Sequence, residues 1–292
     1  MKKNVIRRRL VEPKSGADSD FDPRDGGVHS VDRALSIIET LAEDDEGYRL
    51  SDPAIRTGLS TSTVHRLLAT LESRRFVQFD RDQSKWHVGA RAFTVGATFV
   101  RRRNFTAQAI PYLRKLRDLT RETANLAVVD DESIIVLTRM ESREIMRSLT
   151  KVGGRVAMVA SGVGKAVLAT WSDEDVSAII CRQGMKRLTE ESIVRPSDLF
   201  KELQTIRRQG YAVDDEEAQI GLRCVAAVVY NHHAEPLAAI SVSGMTGRVT
   251  DERLPVIGRI VREVAAELTD ALRRAASASR ALTGRREPAG WQ

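Results

Sequence analysis

Two sets of side chains in this 292-residue chain have types and spacings that could do chemistry. The first lies in TGLSTSTVHRLLATLESRRFV, residues 57–77, where Thr61, Ser62, Thr63, His65 and Arg66 crowd together. Hydroxyls, an imidazole and a guanidinium can all donate hydrogen bonds to phosphate oxygens and base edges. The second set is dispersed: Gly162 and Val163 in SGVGKAVLATW, Asp214 in YAVDDEEA, Cys224 in RCVAAVVY, and Ser241 and Ser243 in LAAISVSG. Exposed N–H groups at a helix start attract anions, and Gly162, lacking a Cβ, lets a ligand approach the main chain. Two serines two apart on a strand put both hydroxyls on one face, about 7 Å apart. Cys224 shares its face with Ala226 and Val228, small side chains that leave room. Asp214 can accept a hydrogen bond from a hydroxyl or hydrated carbonyl. This set is compatible with a pocket for a small anion, lined by uncharged donors.

Each set also has a plainer reading. Any exposed helix carries Ser, His and Arg. Ser241 and Ser243 could line a solvated edge strand, and Asp214 sits in the acidic run DDEE of a typical surface loop. A cysteine in an apolar strand is often only a small hydrophobe. An enzyme working through Cys224 would need a base within hydrogen-bond reach. His232 and His233 lie past that strand in the polar turn NHHAEP and are expected to face solvent. Arg223 neighbours Cys224 but points to the other face of the strand, so no cation lowers the thiol pKa. GVGKA lacks the spacing of a phosphate loop.

The elements that must position these residues follow from periodicity. HSVDRALSIIETLAEDDEG reads as an amphipathic helix with Ser30 as its cap and Ala34, Leu35, Ile37, Ile38 and Leu41 on the apolar stripe. LSDPAIRTG reads as a short helix capped by Ser51 and ended by Gly58. Ser60 then caps a helix whose Val64, Leu67, Leu68 and Leu71 form a buried stripe, with Ser62, His65, Arg66 and Ala69 on the opposite side. Two short helices joined by a glycine turn make a helix-turn-helix. RFVQF and SKWHVG, joined by a polar turn, make the wing, with Arg81 and Lys85 near its tip placed for phosphate. ARAFTVGATFVRRRNF reads as a linker helix. Beyond it, strands are expected at LAVVD, SIIVLTRM, MRSLT, YAVDD, RCVAAVVYN and LAAISVSG, with helices between and after them. That pattern is an α/β domain with a mostly antiparallel sheet.

Charge supports the division of labour. Residues 28–55 carry 2 Lys/Arg against 7 Asp/Glu, a net −5, whereas 56–103 carry 10 against 3, a net +7. A basic segment over the helix-turn-helix is the footprint expected for phosphate contacts, although a solvated face would look the same. Two cysteines without a CxxC pair exclude a disulfide framework and a Cys-based zinc site, and no metal or cofactor is expected. The basic start MKKNVIRRRL lacks the apolar core of a signal peptide, and the run CVAAVVY is far short of the roughly 18 residues that span a bilayer. A cytoplasmic protein with no membrane partner is expected.

In their order, SVDRALSIIETLA, GLSTSTVHRLLATLE, HVGARAFTVG, ASGVGKAVLA, GYAVDDEEAQIGLRCVAA and PLAAISVSG resemble the IclR family of bacterial transcription regulators, over about residues 28–275. Composition makes 1–27 a disordered basic arm and 276–292 a flexible tail; between them the resemblance implies an α/β protein with a winged helix-turn-helix domain at 28–90, a linker helix at 91–103 and a GAF-like effector domain at 104–275. It implies a homodimer or a dimer of dimers that binds double-stranded operator DNA under control of a small organic acid, and no enzyme. DNA contacts then fall to Thr61, Ser62, Thr63, His65, Arg66, Arg81 and Lys85. The family's effector contacts match Gly162, Val163, Asp214, Cys224, Ser241 and Ser243. Val163 departs from the Ala more usual there, and its bulk is expected to narrow the pocket while leaving a main-chain contact. The retained Asp, Cys and paired Ser resemble members that sense glyoxylate or related C2 or C3 2-oxo acids.

Overall fold

The computed structural model describes residues 27–102, 105–142 and 151–283. The arm at 1–26, the strand expected at MRSLT and residues 284–292 lie outside the described residues. The chain divides into two compact units, Met1–Phe99 and Val100–Gln292.

In the first unit, α1 (His29–Ala42), α2 (Ser51–Thr57) and α3 (Thr61–Ser73) precede an antiparallel hairpin of β1 (Val77–Asp80) and β2 (Lys85–Val88). Ile37 and Leu41 of α1, Ala54 of α2, Val64 and Leu68 of α3, and Val77 and Trp86 of the hairpin form one buried cluster. Leu67 and Leu71 pack half-buried at its edge, which is the stripe that the three-and-four spacing dictates. Leu35 departs from expectation: it is 53% exposed, at the outer limit of the apolar arc of α1.

The caps differ in detail. Helix α1 begins at His29 behind Val28, so Ser30 lies inside it and does not cap. Ser51 is the first residue of α2; its turn is closed by the Asp52 carboxylate, which accepts from the Arg49 N–H at 2.8 Å. Gly58, at φ 68°, sets the α2–α3 turn in the left-handed region, where a Cβ is disfavoured. The wing also has a partner that the periodicity did not announce. Tyr48 and Trp86 exchange main-chain hydrogen bonds of 3.0 and 2.7 Å, so the segment after α1 pairs with β2.

Helix α4 (Ala90–Arg102) covers the segment expected as a linker helix, and the division between the two units falls within it. The second unit contains α5 (Phe105–Thr120), β3 (Thr123–Asp130), β4 (Ser133–Met140), β5 (Arg155–Val156), α6 (Gly162–Leu168), α7 (Asp173–Gln183), α8 (Pro196–Gln209), β6 (Ala212–Asp215), β7 (Leu222–Tyr230), β8 (Pro236–Met245) and α9 (Leu254–Thr283). The strands form one sheet in the order β5-β4-β3-β8-β7-β6, and each neighbouring pair is antiparallel. One face, with Leu126, Val225, Ala227, Ile240 and Val242, packs in the core that α5 and α9 share. The other, with Ala127, Ala212, Ala226 and Ala239, packs against α6, α7 and α8. Both faces are covered, so the strands read as near-continuous apolar runs. Helix α9 continues to Thr283, past residue 276 where the sequence reading starts a flexible tail; the segment RRAASASRA is rich in helix formers.

Candidate functional site

On α3, Thr61, Ser62, His65, Arg66 and Ala69 are exposed, while Val64 and Leu68 are fully buried. Ser60 caps the helix through its Oγ, which accepts from the Thr63 N–H at 3.3 Å and lies 3.1 and 2.9 Å from the Ser62 and Thr63 hydroxyls. Both hydroxyls touch the cap, but Thr63 is half-buried whereas Thr61, Ser62, His65 and Arg66 are exposed on the outer side. Arg81 is exposed in the wing turn. Lys85 is not: its Nζ donates to the Glu46 carbonyl at 2.8 Å, beside the Tyr48–Trp86 pairing. That tie to the α1 loop is a register effect no local pattern encodes. Arg74, Arg75 and Arg91 are further exposed cations close to α3 and the hairpin.

In the second unit the register brings the dispersed residues together. Asp214 of β6 is opposite Cys224 of β7, Cys224 is opposite Ser243 of β8, and Ser243 is opposite Thr123 of β3. The next row on the same face runs Ala212, Ala226, Ser241, Asn125 and then Arg139 of β4. Ser241 and Ser243 thus lie in mid-sheet, on the face that α6 covers, and not on a solvated edge. Ser241 is 1% exposed; Ser243 and Cys224 are half-buried. The Asn125 amide Nδ2 donates to Ser241 Oγ at 3.4 Å and Ser243 Oγ at 3.3 Å. Sequence reasoning missed Asn125, because its place in the row depends on strand register.

Helix α6 starts over this patch. Ser161 caps it, accepting from the Gly164 N–H at 3.0 Å and donating to the Ala157 carbonyl at 2.6 Å. Gly162 and Val163 hold the first two helical positions, whose N–H groups have no partner within a helix. A Cβ on Gly162 would lie 2.8 Å from the Cys224 carbonyl and 3.3 Å from its Sγ, so only glycine permits this approach. The Val163 side chain is 6% exposed and belongs to the core beneath α6, so its bulk fills that core.

Electrostatics at the patch are those of buried acids. Asp214 is 4% exposed, and its Oδ1 accepts from the N–H groups of Glu217 (2.9 Å) and Ala218 (3.3 Å). Burial, reinforced by Glu217, pushes its carboxyl up to about 7 against the opposing main-chain bonds and Lys165. Lys165 of α6, only 1% exposed, is paired with Glu217 and lies 3.4 Å from Glu202. Burial, aided by Asp214, pushes the Cys224 thiol up to about 11, although the Ser243 and Ser241 hydroxyls hydrogen-bond to it. The thiol is protonated at neutral pH and is a poor nucleophile. His232 and His233 are exposed in the β7–β8 turn, with ring centroids 3.8 Å apart, and give Cys224 no base. A cavity of about 390 Å³ elsewhere, lined by Ile206, Arg207, Tyr211, Tyr230 and Arg262 among others, includes none of the six candidate effector residues. Among the described residues, no cluster of three or more His, Cys, Asp or Glu could hold a metal, and no helix is long and apolar enough to cross a membrane.

Residues 30–81 match the IclR helix-turn-helix domain, and residues 97–270 match the C-terminal domain described as bacterial transcriptional regulator IclR C-terminal. The acetate operon repressor of Salmonella typhimurium is 41% identical, over 85% of this chain and 91% of its own. The transcriptional repressor IclR of Escherichia coli is 40% identical over the same shares. The HTH-type transcriptional regulator BhcR of Paracoccus denitrificans is 38% identical over 91% of this chain and 95% of its own. A solved IclR regulator from Alicyclobacillus acidocaldarius superposes with a TM-score of 0.72 at 25% identity, covering 84% of this chain and 99% of that one. The Thermotoga maritima IclR structure gives 0.69 at 25% identity, with the same coverage.

Proposed function

The chain belongs to the IclR family of bacterial transcriptional regulators and is a DNA-binding regulator, and from that premise we propose that a C2 or C3 2-oxo acid such as glyoxylate controls its grip on operator DNA. The observation that carries this reading is the row Asp214–Cys224–Ser243, flanked by Ser241, beneath the glycine start of α6. The patch is small and polar, and its formal charge is reduced, because burial raises the Asp214 carboxyl to about 7 and keeps the thiol protonated. Such a surface suits a short carboxylate bearing a carbonyl or hydrated carbonyl. The Ser241 and Ser243 hydroxyls and the Gly162 and Val163 N–H groups donate to its oxygens; a protonated Asp214 donates as well. An extended aromatic acid would have to displace the packing of Gly162 on Cys224.

The DNA end of the mechanism uses the exposed side of α3. Ser62, His65 and Arg66 reach base edges and Thr61 the backbone, with Arg81 on phosphate from the wing turn. Two copies present two such helices to a symmetric operator. The exposed apolar side chains of α4, with Phe93 78% and Val95 49% exposed, support pairing into a homodimer, and a second pairing gives a dimer of dimers. The relatives named as repressors support repression as the mode of action.

Isothermal calorimetry with glyoxylate and pyruvate tests the effector reading. Wild-type protein is expected to bind one of them, and Ser241→Ala with Ser243→Ala to lose that binding while operator affinity without effector is unchanged. Equal effector affinity in the double variant would place the site elsewhere.

A further inference from the structure

We infer that Asn125 is a positioning residue of the effector site, orienting Ser241 and Ser243 so that both hydroxyl protons are available to the ligand; this rests on the effector reading above. Asn125 is 8% exposed in β3 and sits directly opposite Ser241 in the ladder. It donates from one nitrogen to both serine oxygens, at 3.4 and 3.3 Å. A primary amide nitrogen carries two N–H groups, so each serine receives one. A hydroxyl that accepts from an amide keeps its own proton for another partner. Cys224 is opposite Ser243 in the ladder, which makes its sulfur the neighbouring acceptor for those protons. Sulfur is a weak acceptor, and a carboxylate oxygen at the same place would displace it.

Orientation carries weight here because the nearest cations are already committed. Lys165 pairs with Glu217, and Arg139, opposite Asn125 on β4, pairs with Glu141 at 2.5 Å. Affinity for an anion must then come from dipoles, and in a buried site a hydroxyl pointing its proton at the ligand attracts where one pointing its lone pairs repels. The residue type also runs against the element. Asn is disfavoured in strands, and β3 otherwise consists of Thr, Ala, Leu, Val and a terminal Asp. A local choice against propensity, with both amide protons directed at the candidate site, marks a functional position.

The isosteric change Asn125→Asp gives a readout that a merely structural role would not produce. The introduced carboxylate accepts the serine protons instead of donating, turning both hydroxyls away from the ligand. In full-length protein titrated with sodium glyoxylate, this variant at pH 8 is expected to bind roughly a hundredfold more weakly than wild type, and Asn125→Ala roughly tenfold more weakly. Acidification to pH 5 protonates the introduced carboxyl and restores a donor, so the deficit of Asn125→Asp relative to wild type shrinks, while that of Asn125→Ala stays constant. The groups facing this position are Arg139 from β4, Cys224 and Asp214 from β7 and β6, and the Lys165–Glu217 pair on the α6 side. Their titration is shared by wild type and Asn125→Ala, so that pair gives the baseline against which the change in Asn125→Asp is read. Operator binding without effector, unchanged in all three, verifies the fold. If wild type binds glyoxylate and both variants bind it equally well, or the Asn125→Asp deficit does not change with pH, the positioning role is overturned and the effector reading stands. If wild type binds neither glyoxylate nor pyruvate, the effector reading itself fails and takes this inference with it.

Discussion

Arg66 carries a formal charge on an exposed helix face with no share in the buried cluster beneath it. Its removal should therefore affect binding and not folding. Arg66→Ala is expected to weaken operator affinity at least tenfold, about the cost of one good base or phosphate contact. Thermal unfolding within about 1 °C of wild type would verify that only binding is touched. Asp214 makes a different prediction. Its folded pKa, about 7, lies above the ordinary carboxyl value of 3.8. The folded state therefore holds a proton that the unfolded state has lost, and the group's contribution to stability is present at low pH and falls as pH rises through 7. Asp214→Asn keeps an acceptor for the Glu217 and Ala218 N–H groups but cannot ionise. Its stability relative to wild type, measured as a urea midpoint, should increase from pH 5 to pH 8. Glyoxylate affinity of the wild type should fall over the same interval, because an anionic Asp214 opposes an anionic ligand.

At the scale of elements, Ser60 and Gly162 do the local work. Ser60→Ala removes the cap of α3 and is expected to lower stability by about 1 kcal/mol, measured by thermal unfolding, with Ser60→Gly losing only a few tenths. Gly162→Ala sets a Cβ 2.8 Å from the Cys224 carbonyl, so α6 must lift from β7. It should abolish effector binding even though alanine is the better helix former. The elements whose limits the sequence announced are those with strong period and clear punctuation. Strand β4, Ser133–Met140, matches the reading SIIVLTRM. What the sequence hid has no period. Strand β5 is two residues long, and the Tyr48–Trp86 pairing and the Lys85 bond to Glu46 depend on chain segments far apart in sequence. The candidate site divides in the same way. Ser241 and Ser243 could be placed on one face from a two-residue step, whereas Asn125 and Lys165 enter only once β3 is laid beside β8 and α6 over β6.

For the molecule as a whole, α4 is the piece whose sequence and structure fit least well with a solitary chain. Phe93 and Val95 are large, apolar and exposed. If two copies pair through them, Phe93→Asp is expected to shift the protein toward monomer in analytical ultracentrifugation and to weaken binding to a symmetric operator far more than to a half-site. A further consequence lies in the sheet. The proposed ligand groups come from β6, β7 and β8, with Asn125 of β3 tied to the serines, four neighbours in a single antiparallel ladder with α6 above them. A molecule bound across that row acts as a rung that four strands share, so any one of them can peel away only by letting go of it. Occupancy should then be recorded by amide deuterium uptake as slowed exchange along the whole row at once, rather than at one loop.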